Sequence, residues 1–215
     1  MATSTVDPTP LRSDARRNRE RIVAAARELF ARDGVEASVE EITREAGVGM
    51  GTLYRHFPTK DELIDAVLED ALSDMVALAE AAAAEEDAWV GFTGFLERAL
   101  QRQAANRGLR DVLATRADNA PRIAIKRERI LPALQRVIER AHEQGSLRPD
   151  FVAEDLPLLF WASDRVMEAT SEVAPDYWRR YVALLLDGLR AGSATPLPGR
   201  PLTRAQLARA AGRRA

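Results

Sequence analysis

Apolar residues recur along most of the chain with the spacing of an α-helix. From Arg16 onward, apolar side chains fall at positions i, i+3, i+4, i+7 and i+8, namely Ile22, Ala25, Ala26, Leu29 and Phe30. This spacing places them on one face of a helix that can pack on a core. No segment alternates apolar and polar residues with the period of two that a half-buried β-strand has. The pattern therefore predicts an all-α protein.

Glycine and capping residues mark where the first helices begin and end. Gly34 and Gly47 each follow a helical segment and are predicted to end it. Residues 38–41 (SVEE) and 59–62 (TKDE) have the pattern of a capping box, which opens a helix. A short helix is predicted between these boxes, from about Met50 to His56. The N-terminal part is therefore expected to contain three helices followed by a long fourth one.

The helical period continues through the rest of the chain, and about nine helices are predicted in all. Residues 122–144 contain Pro132, which lacks a backbone donor and clashes with the preceding turn, so we expect a bend or a new helix start there. Residues 153–169 and 176–190 are predicted to be the last two long helices. Residues 192–201 (GSATPLPGRP) form a linker to a basic tail.

Composition narrows the class of protein. Apolar residues make up 46% of the chain and charged residues 30%, a balance typical of globular proteins. The absence of cysteine excludes disulfides and thiolate metal sites and fits a reducing cytoplasm. No apolar run approaches the roughly 20 residues of a membrane span, and the N-terminus lacks the apolar middle of a signal peptide. We expect a cytoplasmic protein without a membrane partner.

Histidine is too scarce to support catalysis or metal binding. The chain has two histidines, His56 and His142, far apart in the sequence. Catalytic and metal sites built on histidine need further partners at close range. We expect no enzyme activity, no metal and no cofactor. A helical-bundle enzyme stays open as an alternative.

Basic charge is concentrated near the two ends of the chain. Arginines crowd residues 12–21 (RSDARRNRER), and six arginines with no acid follow from Arg190 onward, although the net charge is only −2. Such runs are most often solvated, disordered segments. The alternative is that the N-terminal arm touches the DNA minor groove or phosphates, as basic arms do.

The function is indicated most clearly by one segment, residues 40–63 (EEITREAGVGMGTLYRHFPTKDEL). Two helices joined by a three- or four-residue turn form a helix-turn-helix, and its second helix can enter the DNA major groove. Leu53 and Phe57 have inward spacing, which leaves the remaining side chains of that helix nearer the outside. Gly49 and Gly51 expose bare backbone that allows close approach to a phosphate. Arg55 has the side chain that most often reads a guanine.

The other outward residues offer donors and acceptors for DNA. Hydroxyl and imidazole groups can bond to phosphates or base edges, and they belong to Thr52, Tyr54 and His56. Lys60 lies in the first turn of the next helix, where its charge adds to free N–H groups and the positive end of the helix dipole. This end of the helix is therefore predicted to bind a phosphate.

Residues 16 to about 70 resemble the N-terminal domain of the TetR (TetR/AcrR) family of bacterial transcriptional regulators. The specific part of the match is AGV followed by GTLYRHF and TKDEL. The resemblance implies a homodimer with two helix-turn-helix heads and an all-α C-terminal domain, which holds an effector pocket and dimerises through its last two helices. Residues 130–160 and 178–190 resemble the C-terminal domain of one subgroup more loosely.

The resemblance also implies roles for single residues. Positions that touch the DNA backbone in the family align with Ser38, Thr52, Tyr54, His56 and Lys60. Positions nearer the bases align with Met50, Gly51 and Arg55. Glu40 departs from the family, which often has a basic or small polar residue there. Its carboxylate would repel phosphate or accept from a cytosine amino group.

The C-terminal half contains candidates for a pocket and a dimer interface. Candidates for the effector pocket are Phe92, Phe95, Leu113, Ile130, Trp161 and Arg165, and the apolar ones among them also suit a plain core. Candidates for the dimer interface on the last two helices are Asp164, Glu168, Tyr177, Tyr181, Leu184, Leu185 and Gly188. The charged residues at 164, 165 and 168 lie within an apolar run and are expected to form ion pairs at the dimer seam or polar groups in the pocket.

These expectations combine into one domain plan and one function. A disordered arm (1–14) precedes a helix-turn-helix domain (15–60), a ligand-binding and dimerisation domain (61–191), and a linker with a basic tail (192–215). The predicted function is a ligand-responsive repressor that binds a palindromic double-stranded DNA operator as a homodimer and is released by an apolar small-molecule effector. The alternative is an architectural or activator-type DNA-binding protein without an effector.

Overall fold

A computed structural model describes residues 9–105, 121–192 and 195–211. Within these ranges the protein consists of nine α-helices and two short 3₁₀ turns, which confirms the predicted all-α class. The described residues form two compact units, and the division falls after Asp70, inside the fourth helix.

Helices α1 to α3 and the first part of α4 build the N-terminal unit. Their bounds are α1 Thr9–Asp33, α2 Val39–Ala46, α3 Met50–His56 and α4 Lys60–Ala84. The predicted bounds of α2 and α3 are confirmed. The prediction of disorder up to residue 14 is wrong for the residues from Thr9 onward, which are helical. An i, i+3 ion pair between Asp14 and Arg17 supports this first part of α1.

Local capping explains why α2 has these bounds. The hydroxyl of Ser38 accepts a hydrogen bond from the backbone N–H of Glu41 at 3.1 Å, which satisfies one of the free donors at the helix start. Gly47 ends the helix with φ 61°, a left-handed conformation that glycine adopts without a steric penalty. Ser38 and Gly47 therefore determine where α2 begins and ends.

Apolar side chains from all four helices fill the interior of the N-terminal unit. The predicted face of α1 is buried, since Ile22, Ala25, Ala26, Leu29 and Phe30 are each at most 5% exposed. The other helices contribute the buried residues Ile42, Ala46, Leu53, Leu63, Ile64 and Val67. Arg27 of α1 also forms an ion pair with Asp70 of α4, Nη1 to Oδ2 3.2 Å.

The C-terminal unit contains the remainder of α4 and five further helices. Their bounds are α5 Ala88–Ala105, α6 Pro121–Glu143, α7 Leu156–Thr170, α8 Tyr177–Leu189 and α9 Arg204–Ala211. The helix α6 is continuous through Pro132, so no new helix starts there. Across the described ranges, every helix is too short or too polar to cross a membrane.

Two clusters of buried residues form the core of the C-terminal unit. The larger cluster joins α4, α5, α6 and α7 and includes Phe92, Phe95, Leu96, Val137 and Leu156. The smaller cluster consists of Leu100, Met167, Trp178 and Val182 and joins α5, α7 and α8. Trp178 and Val182 therefore pack α8 against α5 and α7.

Candidate nucleic-acid interface

A tight turn over residues 47–49 joins α2 to α3. The N–H of Gly47 donates to the carbonyl of Arg44 at 3.2 Å, and the N–H of Val48 donates to the carbonyl of Thr43 at 3.0 Å. Gly49 then caps α3 and accepts from the N–H of Thr52 at 2.9 Å. Two helices joined by such a turn form the predicted helix-turn-helix.

The helix α3 has a buried side and an exposed side. Leu53 and Phe57 are at most 3% exposed, which confirms their inward orientation. Tyr54 is 46% exposed although its ring is largely apolar. Of the remaining candidates, Gly49, Gly51 and Arg55 are exposed, and Met50, Thr52 and His56 are half-buried. The outward side of α3 thus presents a phenol, a guanidinium and bare backbone together.

Two side-chain contacts order this exposed surface. Arg55 donates from Nη2 to Oγ1 of Thr52 at 3.3 Å, one turn earlier on α3. Thr43 of α2 is buried and donates to the carbonyl of Glu40 at 2.9 Å, and its hydroxyl oxygen also lies 3.6 Å from the sulfur of Met50. Thr43 therefore links α2 to the first residue of α3, a role that the apolar pattern did not reveal.

The remaining candidates lie at the starts of α2 and α4. The Oγ of Ser38 accepts from the N–H of Glu41 and donates to its Oε2 at 3.3 Å, so this hydroxyl is already engaged. Glu40 is exposed in the first turn of α2. Lys60 is the first residue of α4, directly after Thr59, whose Oγ1 accepts from the N–H of Glu62 at 3.2 Å. Contact of these residues with DNA stays a prediction.

Two arginines of α1 reach the helix-turn-helix, and the sequence reasoning assigned neither of them. Arg21 donates from Nη2 to the carbonyl oxygen of Gly47 at 3.3 Å. The guanidinium carbon of Arg19 lies 5.3 Å from the centroid of the Phe57 ring. Their position just ahead of the first buried residue, Ile22, was the signal available in the sequence.

Candidates for the dimer interface lie on α7 and α8 in two environments. Tyr177 is 48% and Leu184 64% exposed, while Tyr181 packs partly against the smaller core cluster. Asp164 accepts from Nε2 of Gln103 of α5 at 3.1 Å. On the surface of α7, Arg165 forms an ion pair with Glu168. On α8, Leu185 is half-buried and Gly188 is exposed.

Candidates for the effector pocket do not lie in one environment. Phe92 and Phe95 belong to the larger core cluster, and the ring of Phe92 meets that of Phe151 edge-on at 5.8 Å between centroids. Ile130 and Trp161 are half-buried, whereas Arg165 is exposed. Leu113 lies outside the described residues. A shallow depression of about 330 Å³ between α4 and α6 is lined partly by Glu80, Arg136 and Glu139 and includes none of these candidates.

Among the residues that the structure describes, no three His, Asp or Glu side chains lie close enough together to hold a metal ion.

Two family models match the chain and together cover most of it. Residues 22–67 match the model for bacterial regulatory proteins of the TetR family. Residues 86–191 match the model for the C-terminal domain of SbtR-like transcriptional regulators. The first match contains the helix-turn-helix, and the second contains α5 to α8.

Individual proteins are similar over different lengths. An HTH-type transcriptional regulator of Staphylococcus aureus (strain USA300) is 48% identical over 60 residues, which are 27% of this chain and 32% of that protein. This chain therefore spans about a third of the length of the curated relatives it matches.

Solved structures are similar over nearly their full length. A TetR transcription regulatory protein from Mycobacterium vanbaalenii is 32% identical, with a TM-score of 0.67, over 84% of this chain and 99% of that one. A TetR transcriptional regulator from Streptomyces coelicolor is 31% identical, with a TM-score of 0.64, over 80% and 98%.

Proposed function

The chain belongs to the TetR family of DNA-binding transcriptional regulators, and we propose that it is a repressor that binds a palindromic operator as a homodimer. It leaves the operator when a small apolar effector binds the C-terminal unit. A ligand releases DNA only through its different affinity for two conformers, and a tenfold loss of operator affinity needs a difference of about 1.4 kcal/mol.

The two-sided character of α3 carries this proposal. Its apolar side is buried through Leu53 and Phe57, while Tyr54 and Arg55 face solvent. The major groove of DNA accepts one α-helix, and guanidinium groups bond to guanine O6 and N7 there. A helix with this distribution on a helix-turn-helix suits the role of the element that reads base pairs.

The roles of single residues follow from their position around α3. We assign base contacts to Met50, Gly51 and Arg55. Phosphate and sugar contacts are assigned to Ser38, Gly49, Thr52, Tyr54, His56 and Lys60. Ser38 makes its contact by turning its hydroxyl proton from Oε2 of Glu41 to the phosphate. The exposed carboxylate of Glu40 repels phosphate, so its place in the complex is against a cytosine amino group.

The exposed surface of α8 supports dimerisation. Leu184 is 64% exposed and Tyr177 48%, so α8 leaves apolar side chains open to solvent although its other side packs on the core. A Cβ at Gly188 would have no described atom within 4 Å, so another helix can approach closely at this point. A dimer then places two copies of α3 in successive major grooves, roughly 34–36 Å apart.

Selection from random double-stranded DNA tests the proposal directly. The purified protein is incubated with a random duplex pool, and the retained sequences are read after several rounds. The expected result is an inverted repeat whose half-sites are about one helical turn apart. Retention that depends only on salt, with no enriched sequence, would instead favour an architectural binder that contacts the phosphate backbone alone.

A further inference from the structure

We propose that Arg19 and Arg21 of α1 are positioning residues that fix the orientation of α3 and so determine how well the protein separates its operator from other DNA. This inference rests on the proposed operator binding. Neither arginine belongs to the helix-turn-helix itself. Each reaches it from α1, and the two contacts lie on either side of α3.

Arg21 acts on the turn that leads into α3. Its Nη2 donates to the carbonyl of Gly47 at 3.3 Å, and Gly47 is the residue that ends α2. Carbonyl oxygens at the end of a helix lack partners within the helix and carry its negative dipole end, so a guanidinium is well suited to them. A Cβ at position 47 would lie 2.5 Å from the same Nη2. Glycine is therefore needed there for its left-handed backbone, and a larger residue would also displace the guanidinium of Arg21.

Arg19 acts on the residue that ends α3. Its guanidinium carbon lies 5.3 Å from the Phe57 ring centroid, within the range of a cation–π interaction. Phe57 is buried, and its N–H donates to the carbonyl of Leu53 at 2.8 Å, which closes the last turn of α3. A contact that fixes the ring of Phe57 therefore also limits movement of the end of α3.

The helix α1 is a firm support for both contacts. Ile22 and Ala26 follow the two arginines on the same helix and are fully buried. The arginines thus extend from an anchored helix to both ends of a helix of only seven residues. Base readout requires donors within about 0.3 Å of their preferred distance to a base edge, whereas the general attraction to phosphates is electrostatic and independent of sequence. A loosened α3 should therefore lose discrimination before it loses general affinity.

The test compares specific and non-specific binding in matched variants. Arg21→Gln and Arg19→Gln each remove one contact. Arg16→Gln is the control, because Arg16 lies on the same helix, is 77% exposed and has only an i, i+4 ion pair with Glu20. The probes are the strongest duplex selected by the wild-type protein and a scrambled duplex of equal composition, each titrated over a series of salt concentrations.

The expected result is a fall of about tenfold in the ratio of the two affinities for each of the Arg21 and Arg19 variants, comparable to one mismatched base pair. The scrambled duplex should bind nearly as before, and the salt slope should not change. Equal losses on both duplexes, with a slope smaller by about 1, would mean a direct phosphate contact and would overturn the proposal. An unchanged ratio in both variants would also overturn it.

Two further comparisons keep the result interpretable. Thermal melting of each variant separates a loss of fold from a loss of positioning, and Arg19→Gln gives the same readout independently if Arg21→Gln does not fold. Failure of the wild-type protein to select any sequence would refute the proposed operator binding. If the wild-type protein selects an operator and the variants keep the same ratio of specific to non-specific affinity, only the role of the two arginines is refuted.

Discussion

The guanidinium of Arg148 forms a two-point contact with the carboxylate of Asp150, Nε to Oδ1 2.6 Å and Nη2 to Oδ2 3.1 Å. The same pair holds the residues that follow α8. Nη2 of Arg148 donates to the carbonyl of Thr195 at 2.6 Å, and the N–H of Leu197 donates to Oδ2 of Asp150 at 2.8 Å. Nη1 of Arg148 also donates to the carbonyl of Gly188 at 3.0 Å. One ion pair thus ties the C-terminal segment to the end of α8.

This ion pair predicts a specific acid sensitivity. The hydrogen bond from Arg148, followed by the one from the N–H of Leu197, lowers the pKa of Asp150 to about 2. A carboxyl group whose pKa is lowered by folding adds stability above its unfolded pKa, about 3.9, and this stability is lost as the pH falls through the folded pKa. The window of loss therefore runs from about pH 4 down to about pH 2.

Asp150→Asn checks this window. Denaturant unfolding from pH 6 to pH 2, a range chosen around the reference pKa of about 3.9, should show a smaller loss of stability in the variant than in the wild-type protein below about pH 4. The control is Asp176→Asn, since Asp176 is 84% exposed and lies 3.8 Å from Arg179. Parallel curves for wild type and Asp150→Asn would contradict the assignment.

Lys60→Ala should weaken binding to all DNA sequences alike. Lys60 begins α4, where backbone N–H groups and the dipole already favour a phosphate, so its charge adds one phosphate contact. Removing that contact should reduce the slope of log affinity against log salt by about 1. Arg98→Ala, an exposed arginine of α5, serves as the charge-matched control and should leave the slope unchanged. A slope equal to that of the wild type would remove Lys60 from the phosphate contacts.

Arg55→Ala should relax the preference at one base pair of the selected operator. In the free protein Arg55 bonds to Thr52, and this single exposed bond is easily exchanged for a base edge. A bidentate contact with guanine contributes about 1–3 kcal/mol of discrimination. Binding is measured on operators changed at one base pair at a time. Arg55→Lys keeps the charge but not the planar fork, so it should also lose the preference. If every operator loses affinity equally, Arg55 contacts only the backbone.

Replacing the two glycines of α5 by alanine should change the stability in opposite directions. A Cβ at Gly91 would lie 2.4 Å from the carbonyl oxygen of Ala82, a backbone atom that cannot move away cheaply. Gly91→Ala should therefore destabilise the C-terminal unit by about 1–3 kcal/mol, as overpacking does. A Cβ at Gly94 would meet only the flexible end of Arg98 at 3.2 Å, so Gly94→Ala should stabilise by up to about 1 kcal/mol through helix propensity. Urea unfolding measures both, and shifts of the same sign would contradict the close approach at Gly91.

Helices whose ends are marked by capping residues could be predicted from the sequence with exact bounds. The helix α2 has Ser38 at its start and Gly47 at its end, and both act through their immediate neighbours. The start of α1 was predicted too late because residues 9–14 are polar and give no apolar period to follow. At Pro132 a bend or a new helix start was expected, and α6 continues through it, with Ala133, Val137 and Ile138 buried in the core.

Features that depend on distant residues could not be predicted in this way. Arg148 and Thr195 are remote in sequence, and no periodicity shows that the chain returns to this point. The contacts of Arg19 and Arg21 could not be predicted, because several other arginines lie nearby in the sequence. Charge alone does not distinguish a solvated arginine from one that contacts a turn. Helical spacing placed Phe92 and Phe95 inside, but it cannot separate a core from the wall of a pocket.

Leu184→Asp should break the proposed homodimer. Leu184 is 64% exposed on α8, and a carboxylate there would have to lose its hydration at a helix–helix interface, which is unfavourable without a partner charge. Sedimentation measurements should show a monomer for the variant and a dimer for the wild-type protein. Val90→Asp is the matched control, because Val90 is an apolar residue of α5 with 53% exposure and lies outside the proposed interface. On the selected inverted repeat, Leu184→Asp should bind one half-site at a time, without cooperativity. A variant that remains dimeric would place the interface on another surface.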